Sequence, residues 1–357
     1  AYTQTATRPG PEYPNLHDAC LVNHDYYIAR RAFFLDLLPW GDEAPVDDPS
    51  QPLGTDRKTL FTLMRAQYDQ NAKANGGTAG FTSVGGFTPW NWKYTDYPGA
   101  GGKHGGVPTE WEYAAILSAH NAIMDADALG IGALSNASVY AQFPLKAHYA
   151  QTPPAATPPL EDKTYVLVDM GDYDSAAWLA RSVPSVWDDP ARGSLPIAWA
   201  FNPNLADRVP QVFDYLWETK TPNDWFIAGD SGAGYLNPNL LTGDRLGTGP
   251  PDALEAWKTH CAAYYTRFDY SITGFAINGF HGSMPRSVQE AYAAFSPDGV
   301  GMQLGYEAPL VNGTPFLRHV SDIYPKPDNL AETAAQMAIF AHAQRPQFLI
   351  YRWRIQR

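Results

Sequence analysis

Cysteine is scarce in this chain, whose 357 residues include only Cys20 and Cys261. Because there is no Cys-x-x-Cys pair and no cluster of cysteine and histidine at zinc spacing, the sequence argues against a structural zinc site. The two cysteines either form one disulfide, which would tie the N-terminal segment to a later helix, or stay as two buried free thiols. Both alternatives are open at the level of the sequence.

Charged residues are also scarce, at 17% of the chain, and the formal net charge is -12. Lysine and arginine form no extended run, whereas a nucleic-acid partner requires a clustered cationic surface. No apolar stretch reaches the roughly 20 residues that a membrane-spanning helix needs. We therefore predict neither a nucleic-acid partner nor membrane binding.

The residues that are abundant indicate a large core that carries structured loops. Hydrophobic residues make up 45% and aromatic residues 13% of the chain, together with 30 glycines and 31 prolines. Such a composition is not typical of a disordered protein. The chain begins at Ala1 without a methionine or an apolar leader, and it contains N-x-S/T sequons at Asn136 and Asn312. We predict a secreted or periplasmic protein.

Short apolar runs alternate with helical patterns from residue 32 onward. Continuous apolar strands that alternate with amphipathic helices favour parallel pairing, with both faces of the sheet covered. We therefore predict an α/β fold, namely a distorted (β/α)7–8 TIM-like barrel with long inserted loops. The alternative is an open doubly wound parallel sheet. The predicted strands include 32–37, 81–90, 138–145, 165–170, 196–201 and 224–228, and the predicted helices include 57–73 and 108–128.

The domain prediction has two parts. Residues 1–31, which contain several prolines, are predicted to be an N-terminal surface segment. Residues 32–357 are predicted to form a single barrel-like catalytic domain. The proline-rich stretch 151–160 is predicted to be an extended connector, either at a domain boundary or as a long crossing loop within the barrel.

Polar and aromatic side chains follow the predicted strands. In parallel α/β folds, ligands bind at the carboxyl ends of the strands. Trp and Tyr can cover the apolar faces of a sugar ring while Asp, Asn, His and Arg bond to its hydroxyls, so this composition indicates a carbohydrate site. The predicted catalytic carboxylates are Asp230, Asp172, Asp174 and Glu307. The predicted substrate-binding residues are Trp90, Trp92, His104, Glu110, Asn202, Tyr235, Asn278, His281 and Arg352.

Some of these residues have structural explanations as well. Asp174 also fits the N-cap of the following helix, and Glu110 starts a helix, where the helix dipole favours negative charge. His281 lies in a glycine-rich turn at a strand end, which favours a functional role. His319 lies within a strand, so we predict that it is a hydrogen-bonded core histidine.

The segment from Gly229 to Pro238 contains the most distinctive motif of the chain. Its glycine spacing matches neither a dinucleotide fingerprint nor a phosphate loop, and no basic residue accompanies it. The spacing around Ser231 also differs from that of a nucleophile elbow. We predict that the glycines permit positive φ angles and close backbone approach, and thereby present Asp230, Ser231 and Tyr235 at a cleft.

The run Gly232-Ala233-Gly234-Tyr235-Leu236-Asn237-Pro238 resembles the signature of the GxGYxYP family, whose members are described as glycoside hydrolases. The acidic turn at 171–174 and the closing strand at 345–349 support the resemblance, which covers most of the chain from about residue 20. This sequence departs from the signature at Asn237, where the family name has a second tyrosine. The resemblance implies a carbohydrate substrate.

We therefore predict a glycoside hydrolase that acts on an oligo- or polysaccharide through a pair of carboxylates at the strand ends. Asp230 and Asp172 are the favoured pair. The alternatives are a non-catalytic glycan-binding protein and a polysaccharide lyase or metal-assisted carbohydrate-active enzyme. No cofactor is predicted, with a divalent metal held by Asp172, Asp174 and His281 as a further option.

Overall fold

The computed structural model describes residues 2–5, 23–86, 95–126, 134–152, 159–173, 175–279, 281–341 and 344–354, with the backbone alone for 2–5, 172 and 173. Its strands are β1 Tyr2–Thr5, β2 Phe33–Leu35, β3 Thr82–Gly85, β4 Ala122–Asp125, β5 Thr164–Tyr173, β6 Ile197–Phe201, β7 Asp224–Ile227, β8 Ile272–Ala276, β9 Gly299–Met302, β10 Leu310–Val311, β11 Thr314–Ile323 and β12 Gln347–Arg354. Its α-helices are α1 His24–Ala29, α2 Thr55–Ala74, α3 Gly106–Ser118, α4 Ala137–Tyr140, α5 Ala176–Arg181, α6 Val183–Trp187, α7 Pro210–Thr219, α8 Leu254–Phe268, α9 Arg286–Ala293 and α10 Leu330–Ala338. Short 3₁₀ turns lie at Pro203–Asp207, Pro238–Leu241 and Arg245–Gly247. Within these segments, every helix is too short or too polar to span a lipid bilayer.

Seven parallel strands from the second half of the chain form a nearly closed barrel. Their spatial order is β7-β6-β5-β12-β11-β9-β8. Because β12 lies beside β5, the strands follow one another around the barrel in the order in which they occur in the chain. Between the two end strands, the Ala228 amide donates to the Ile272 carbonyl at 3.0 Å and the Gly274 amide donates to the Ala228 carbonyl at 2.7 Å. The predicted distorted barrel is therefore confirmed.

The alternation of side chains along β6 shows how the barrel is packed. Ala198 and Ala200 cluster with Ile227 on the face away from the helices. Trp199 and Phe201 point the other way and join the large apolar cluster beneath the surrounding helices. Successive residues of a strand face opposite sides of the sheet, so the small side chains fill the narrow barrel interior.

The first four strands form a second, smaller sheet. Its order is β2-β1-β3-β4, and all three pairings are parallel. The strands predicted at 32–37 and 81–90 fall in this sheet. The first is shorter in the structure, and residues 87–90 of the second lie outside the described residues. Its edge strand β4 contacts the barrel, because the Met124 amide donates to the Tyr235 carbonyl at 2.9 Å. The glycine-rich segment after β7 therefore lies between the two sheets.

An apolar cluster also joins the small sheet to the barrel. It combines Leu60 of α2 and Ile116 of α3 with Phe275 and Ile277, which belong to β8 and the loop that follows it. All four side chains are buried. Burial of apolar surface stabilises such a junction by roughly 25 cal/mol for each Å² removed from water. The junction is therefore a second core, next to the carboxyl end of β8.

A buried ion pair crosses the same junction. Arg208, which follows the 3₁₀ turn after β6, is 2% exposed, and its guanidinium bonds to the carboxylate of Asp125 at the end of β4. The same guanidinium donates to the Tyr27 hydroxyl at 2.8 Å. Removal of one partner would leave the other charge buried, which is strongly destabilising.

Two predicted elements of the first half are wrong. The strand predicted over 138–145 is replaced by α4, where the carboxylate of Asp25 accepts hydrogen bonds from both the amide and the hydroxyl of Ser138, each at 2.7 Å. The helix predicted over 108–128 ends at Ser118 and is followed by β4. Asn121 has a positive φ of 54°, a conformation that ends a helix.

Cys261 lies on α8 and is a buried free thiol, whereas Cys20 lies outside the described residues. Burial raises the pKa of the Cys261 thiol well above its ordinary value. The side chain packs against the glycine-rich segment, since a Cβ at Gly232 would lie 3.2 Å from the Cys261 sulfur. In this structure Cys261 therefore acts as a small core residue.

Candidate active site

Asp169 lies on β5 and is completely buried. Neither of its carboxylate oxygens has a hydrogen-bond partner among the residues that the structure describes. Burial raises the pKa of Asp169 well above its ordinary value; Arg352 opposes this rise, while the charges of Asp322 and Asp230 add to it. A buried carboxyl with these neighbours takes its neutral, protonated form at pH values at which an ordinary aspartate is ionised.

His319 of β11 faces this carboxyl. Its Nδ1 lies 3.7 Å from Oδ1 of Asp169, and its Nε2 donates to the Gly274 carbonyl at 2.7 Å. Burial lowers the pKa of His319 to about 4, so the ring is neutral at pH 7. Because the carbonyl requires the proton on Nε2, the lone pair of Nδ1 points toward Asp169.

Arg352 of β12 and Asp322 of β11 form a bidentate pair beside them. Nε and Nη2 of Arg352 each donate to one carboxylate oxygen of Asp322 at 2.9 Å. Burial alone would raise the pKa of Asp322, but the hydrogen bond and charge of Arg352 lower it below the ordinary value. The guanidinium also lies 4.0 Å from the ring centre of Phe275, an arrangement that favours a cation over an aromatic face.

The pairing of the strands explains why these groups meet. Arg352 pairs in register with Asp322 on one side and with Asp169 on the other. Asp322 of β11, Arg352 of β12 and Asp169 of β5 therefore lie side by side at one level of the barrel. Gly301 on β9 leaves room for the histidine, because a Cβ there would overlap the Gly274 carbonyl and crowd the His319 ring.

Asp230 lies beyond the carboxyl end of β7 and is buried. Its negative charge raises the pKa of Asp169, so the two carboxyls lie within electrostatic reach of each other. The next residue, Ser231, has a φ of 63°, and its amide donates to the Phe275 carbonyl at 2.7 Å. The Ser231 hydroxyl donates to the Leu236 carbonyl at 2.6 Å. These bonds hold the backbone beside Asp230 in one conformation.

Asn202 lies beyond β6, the neighbouring strand, and is also buried. A Cβ at Gly229 would overlap its side-chain oxygen, so the absence of a side chain at Gly229 lets the amide of Asn202 approach the residue that precedes Asp230. The structure therefore places Asn202 against the segment that carries Asp230, and it places Arg352 beside Asp169 on the neighbouring strand.

The glycine-rich segment has the backbone that the sequence predicted. Gly232 and Gly234 have φ values of 114° and 140°, and a Cβ at Gly234 would lie 2.8 Å from the Ile123 side chain. Tyr235 is buried in the junction between the sheets, and its hydroxyl donates to the carboxylate of Glu110 at 2.5 Å. Tyr235 and Glu110 thus join the small sheet to the barrel, and their role in sugar binding stays a prediction.

Asn278 and His281 occupy the loop after β8. The amide group of Asn278 donates to the carbonyls of Gly282 and Gly305, each at 3.2 Å, and its oxygen accepts from the Leu304 amide at 2.8 Å. Burial lowers the pKa of His281, and the charge of Glu112 on α3 opposes this. Asn278 therefore shapes the loop, while His281 lies toward α3.

Two further predicted residues lie at other places. Glu307 is exposed, and its carboxylate accepts from the Arg286 amide at 3.0 Å, at the start of α9. His104 lies in the loop before α3, where its Nε2 is 3.0 Å from a carboxylate oxygen of Asp42. Each has contacts that differ from those around Asp169, and a role for either in catalysis or sugar binding stays a prediction.

Four predicted residues cannot be placed by their side chains. Trp90, Trp92 and Asp174 lie outside the described residues, and only the backbone is described for Asp172. The metal site predicted at Asp172, Asp174 and His281 therefore also stays a prediction.

The sequence reasoning missed Asp169 and Asp322 and gave His319 a purely structural role. It searched for polar groups after the strands, whereas β5 and β11 each run for ten residues, and these side chains lie within them. One signal was available: Asp169 interrupts the apolar run 165–170. A buried acid at such a position needs a specific reason.

The barrel part of the chain matches a known protein family. Residues 162–351 match the family described as "GxGYxYP putative glycoside hydrolase C-terminal domain"; this span runs from just before β5 into β12. No curated protein sequence matches the chain significantly.

A solved structure shares the fold. It is a protein of Bacteroides thetaiotaomicron described as a putative hydrolase, to which this chain is similar with a TM-score of 0.66 at 14% identity. The similarity covers 99% of this chain and 59% of the other protein. At this identity the likeness concerns the fold alone, and the chain spans about three fifths of the protein it resembles.

Proposed function

This chain belongs to the GxGYxYP family, and from that premise we propose that it hydrolyses glycosidic bonds in an oligo- or polysaccharide. The observation that carries the proposal is the pair of buried acids Asp169 and Asp230. Asp169 is buried with a raised pKa, and the neighbouring charge of Asp230 contributes to that rise. Glycoside hydrolysis uses two carboxyl groups of which one is protonated and the other ionised.

Asp169 is the proton donor in this proposal. Its raised pKa keeps the carboxyl protonated at pH values at which an ordinary aspartate is ionised. The proton passes to the glycosidic oxygen as the bond from that oxygen to the anomeric carbon breaks, so the leaving sugar departs as a neutral alcohol. The neutral ring of His319, whose Nδ1 lies 3.7 Å away, adds no positive charge that would lower the pKa of this carboxyl.

Asp230 is the ionised partner. Its carboxylate either attacks the anomeric carbon or takes a proton from the water that attacks it. The anomeric configuration of the first product, followed by NMR, distinguishes these two routes, because direct attack followed by hydrolysis retains the configuration and activation of water inverts it.

Arg352 and Asp322 form the part of the cluster that meets solvent. The side chain of Asp322 is 29% exposed, so the pair can bond to sugar hydroxyls as well as to each other. Asn202 and the predicted residues Trp90, Trp92, Glu110, Tyr235, Asn278 and His281 are further candidates for sugar contacts. A secreted or periplasmic location agrees with a polysaccharide substrate and is part of the same proposal.

The test is product formation from a panel of oligosaccharides and nitrophenyl glycosides. We expect Asp169→Asn and Asp230→Asn each to lower kcat/KM by about 100-fold or more, the usual contribution of a positioned acid or base. Asp162→Asn is the matched control, because Asp162 is exposed and lies just before the opposite end of β5. It should keep full activity.

Two results would contradict the proposal. Full activity in both Asp169→Asn and Asp230→Asn would remove the acid pair from the reaction. Saturable binding of an oligosaccharide by the wild-type protein, with no product after long incubation, would favour a glycan-binding protein instead. In the second case the Asn variants should bind the same ligand.

A further inference from the structure

Three potential metal ligands converge on the small-sheet side of the molecule. Asp42 and Glu43 lie in the loop between β2 and α2, and His104 lies just before α3. One ligand atom from each lies within 4.8 Å of the others. Nε2 of His104 is 3.0 Å from Oδ1 of Asp42 and 3.5 Å from Oε1 of Glu43.

Glu43 is the residue that points to a ligand. Its side chain is 3% exposed, and Oε2 accepts a hydrogen bond from the Lys103 amide at 3.1 Å. Oε1 is buried and has no hydrogen-bond partner in the described parts of the chain. A buried carboxylate oxygen that lacks a donor is costly. The oxygen faces the His104 nitrogen, where a cation would compensate for the lost solvation.

The histidine is held in place for such a role. Its ring stacks on Trp40, with ring centres 3.7 Å apart and an angle of 15° between the planes. The indole nitrogen of Trp40 donates to the Thr109 hydroxyl at 3.1 Å. A ring fixed by its surroundings before a ligand arrives loses little freedom on binding.

We propose that Asp42, Glu43 and His104 bind one divalent transition-metal ion, for which Zn²⁺ is the probe. Imidazole together with carboxylate is a donor set for zinc, whereas calcium and magnesium take oxygen ligands. Zinc bonds of about 2.0–2.1 Å in a tetrahedron place ligand atoms roughly 3.3 Å apart. The observed separations of 3.0 and 3.5 Å bracket that value.

Solvent can reach the site from one side. The side chain of Asp42 is 63% exposed, so three protein ligands leave a coordination position for water. The ion fixes two loops against the start of α3, the helix whose Glu110 accepts the hydrogen bond from Tyr235. Metal binding therefore stabilises the junction between the small sheet and the glycine-rich segment, and this role does not depend on the proposed hydrolysis.

Calorimetric titration of the chelator-treated protein with Zn²⁺ tests the proposal, with excess Mg²⁺ present to suppress weak surface binding. We expect one ion per chain, a rise in Tm on binding, and a loss of affinity of at least about tenfold in His104→Ala and Glu43→Gln. Asp48→Asn is the matched control, because Asp48 is an exposed acid of the same loop whose carboxylate bonds to Ser50 and Gln51.

The test depends on variants that fold normally in the absence of metal. His104 and Asp42 are partly exposed, so His104→Ala and Asp42→Asn should keep the wild-type Tm without metal even if the change at buried Glu43 does not. Equal Zn²⁺ affinity in the wild type and in these two variants would overturn the proposal, as would the absence of saturable binding by the wild type.

Discussion

Replacement of Asp169 by asparagine should make stability less dependent on pH while it removes activity. The raised pKa of Asp169 has a definite thermodynamic consequence. Below the unfolded pKa of about 3.9 the carboxyl is protonated in both states. Above it, the unfolded chain releases the proton and the folded chain retains it, so the contribution to stability falls as the pH rises toward the folded pKa.

The magnitude follows from one proton. The free energy of unfolding of the wild type should fall, relative to that of Asp169→Asn, by about 1.4 kcal/mol for each pH unit between those two pKa values. The amide of asparagine has its own cost of burial, but this cost does not vary with pH. The prediction therefore concerns how the difference in free energy of unfolding between the two proteins changes with pH, and not the size of that difference at any one pH.

The assay is urea unfolding of both proteins at intervals of half a pH unit from pH 4 to pH 9, followed by far-UV circular dichroism. Asp162→Asn is measured in parallel as the control, because Asp162 is exposed and lies just before the opposite end of β5. Parallel curves for the wild type and Asp169→Asn would refute the reasoning, since they would mean that Asp169 ionises in the folded protein as it does in the unfolded chain.

Three further predictions concern stability and are checked by denaturant or thermal unfolding. The pKa of His319 is lowered to about 4, so its contribution to the free energy of unfolding is complete above the unfolded pKa and is lost as the pH falls. Between pH 6.5 and 4 the wild type should lose about 3 kcal/mol of stability that His319→Gln does not lose. An equal loss of stability in both proteins over this range would contradict the prediction. Asp125→Ala should cost about 3–5 kcal/mol because it leaves Arg208 charged and buried, and a cost under about 1 kcal/mol would mean that solvent reaches the pair. Gly234→Ala, at a φ of 140° and with a Cβ only 2.8 Å from a side chain of the small sheet, should cost about 1–3 kcal/mol. Its control Gly243→Ala, which has a φ of 68° and meets nothing within 4 Å, should cost about 1 kcal/mol, and the reasoning fails if the two losses are equal.

The barrel was predictable because its strands carry their own signal. The runs 196–201 and 225–228 are apolar along their whole length and are followed by helices, as parallel strands covered on both faces should be. The separate small sheet was not predictable in the same way. Whether β3 pairs with β1 and β4 or with a barrel strand depends on contacts between distant segments, such as the Met124 to Tyr235 bond. The residues of a short apolar run do not indicate which strand it pairs with.

The candidate site was likewise predictable from the sequence only in part. Asp230 was identified because it follows a strand and lies in a glycine-rich segment, and both features can be read locally. Asp169 and Asp322 become significant only through the register that places Arg352 between them. The sequence shows His319 within a strand, but the strand pattern does not reveal that one ring nitrogen meets a carbonyl while the other faces an acid.

The most direct test of the proposed chemistry compares two pH profiles of the same carboxyl. The alkaline limb of kcat/KM for a hydrolysed oligosaccharide reports the pKa of the essential acid in the free enzyme. The unfolding difference between the wild type and Asp169→Asn stops growing at the folded pKa of Asp169. We expect the two pH values to coincide, with activity absent in Asp169→Asn. A kcat/KM that stays constant through the pH at which Asp169 ionises would contradict its role as the proton donor.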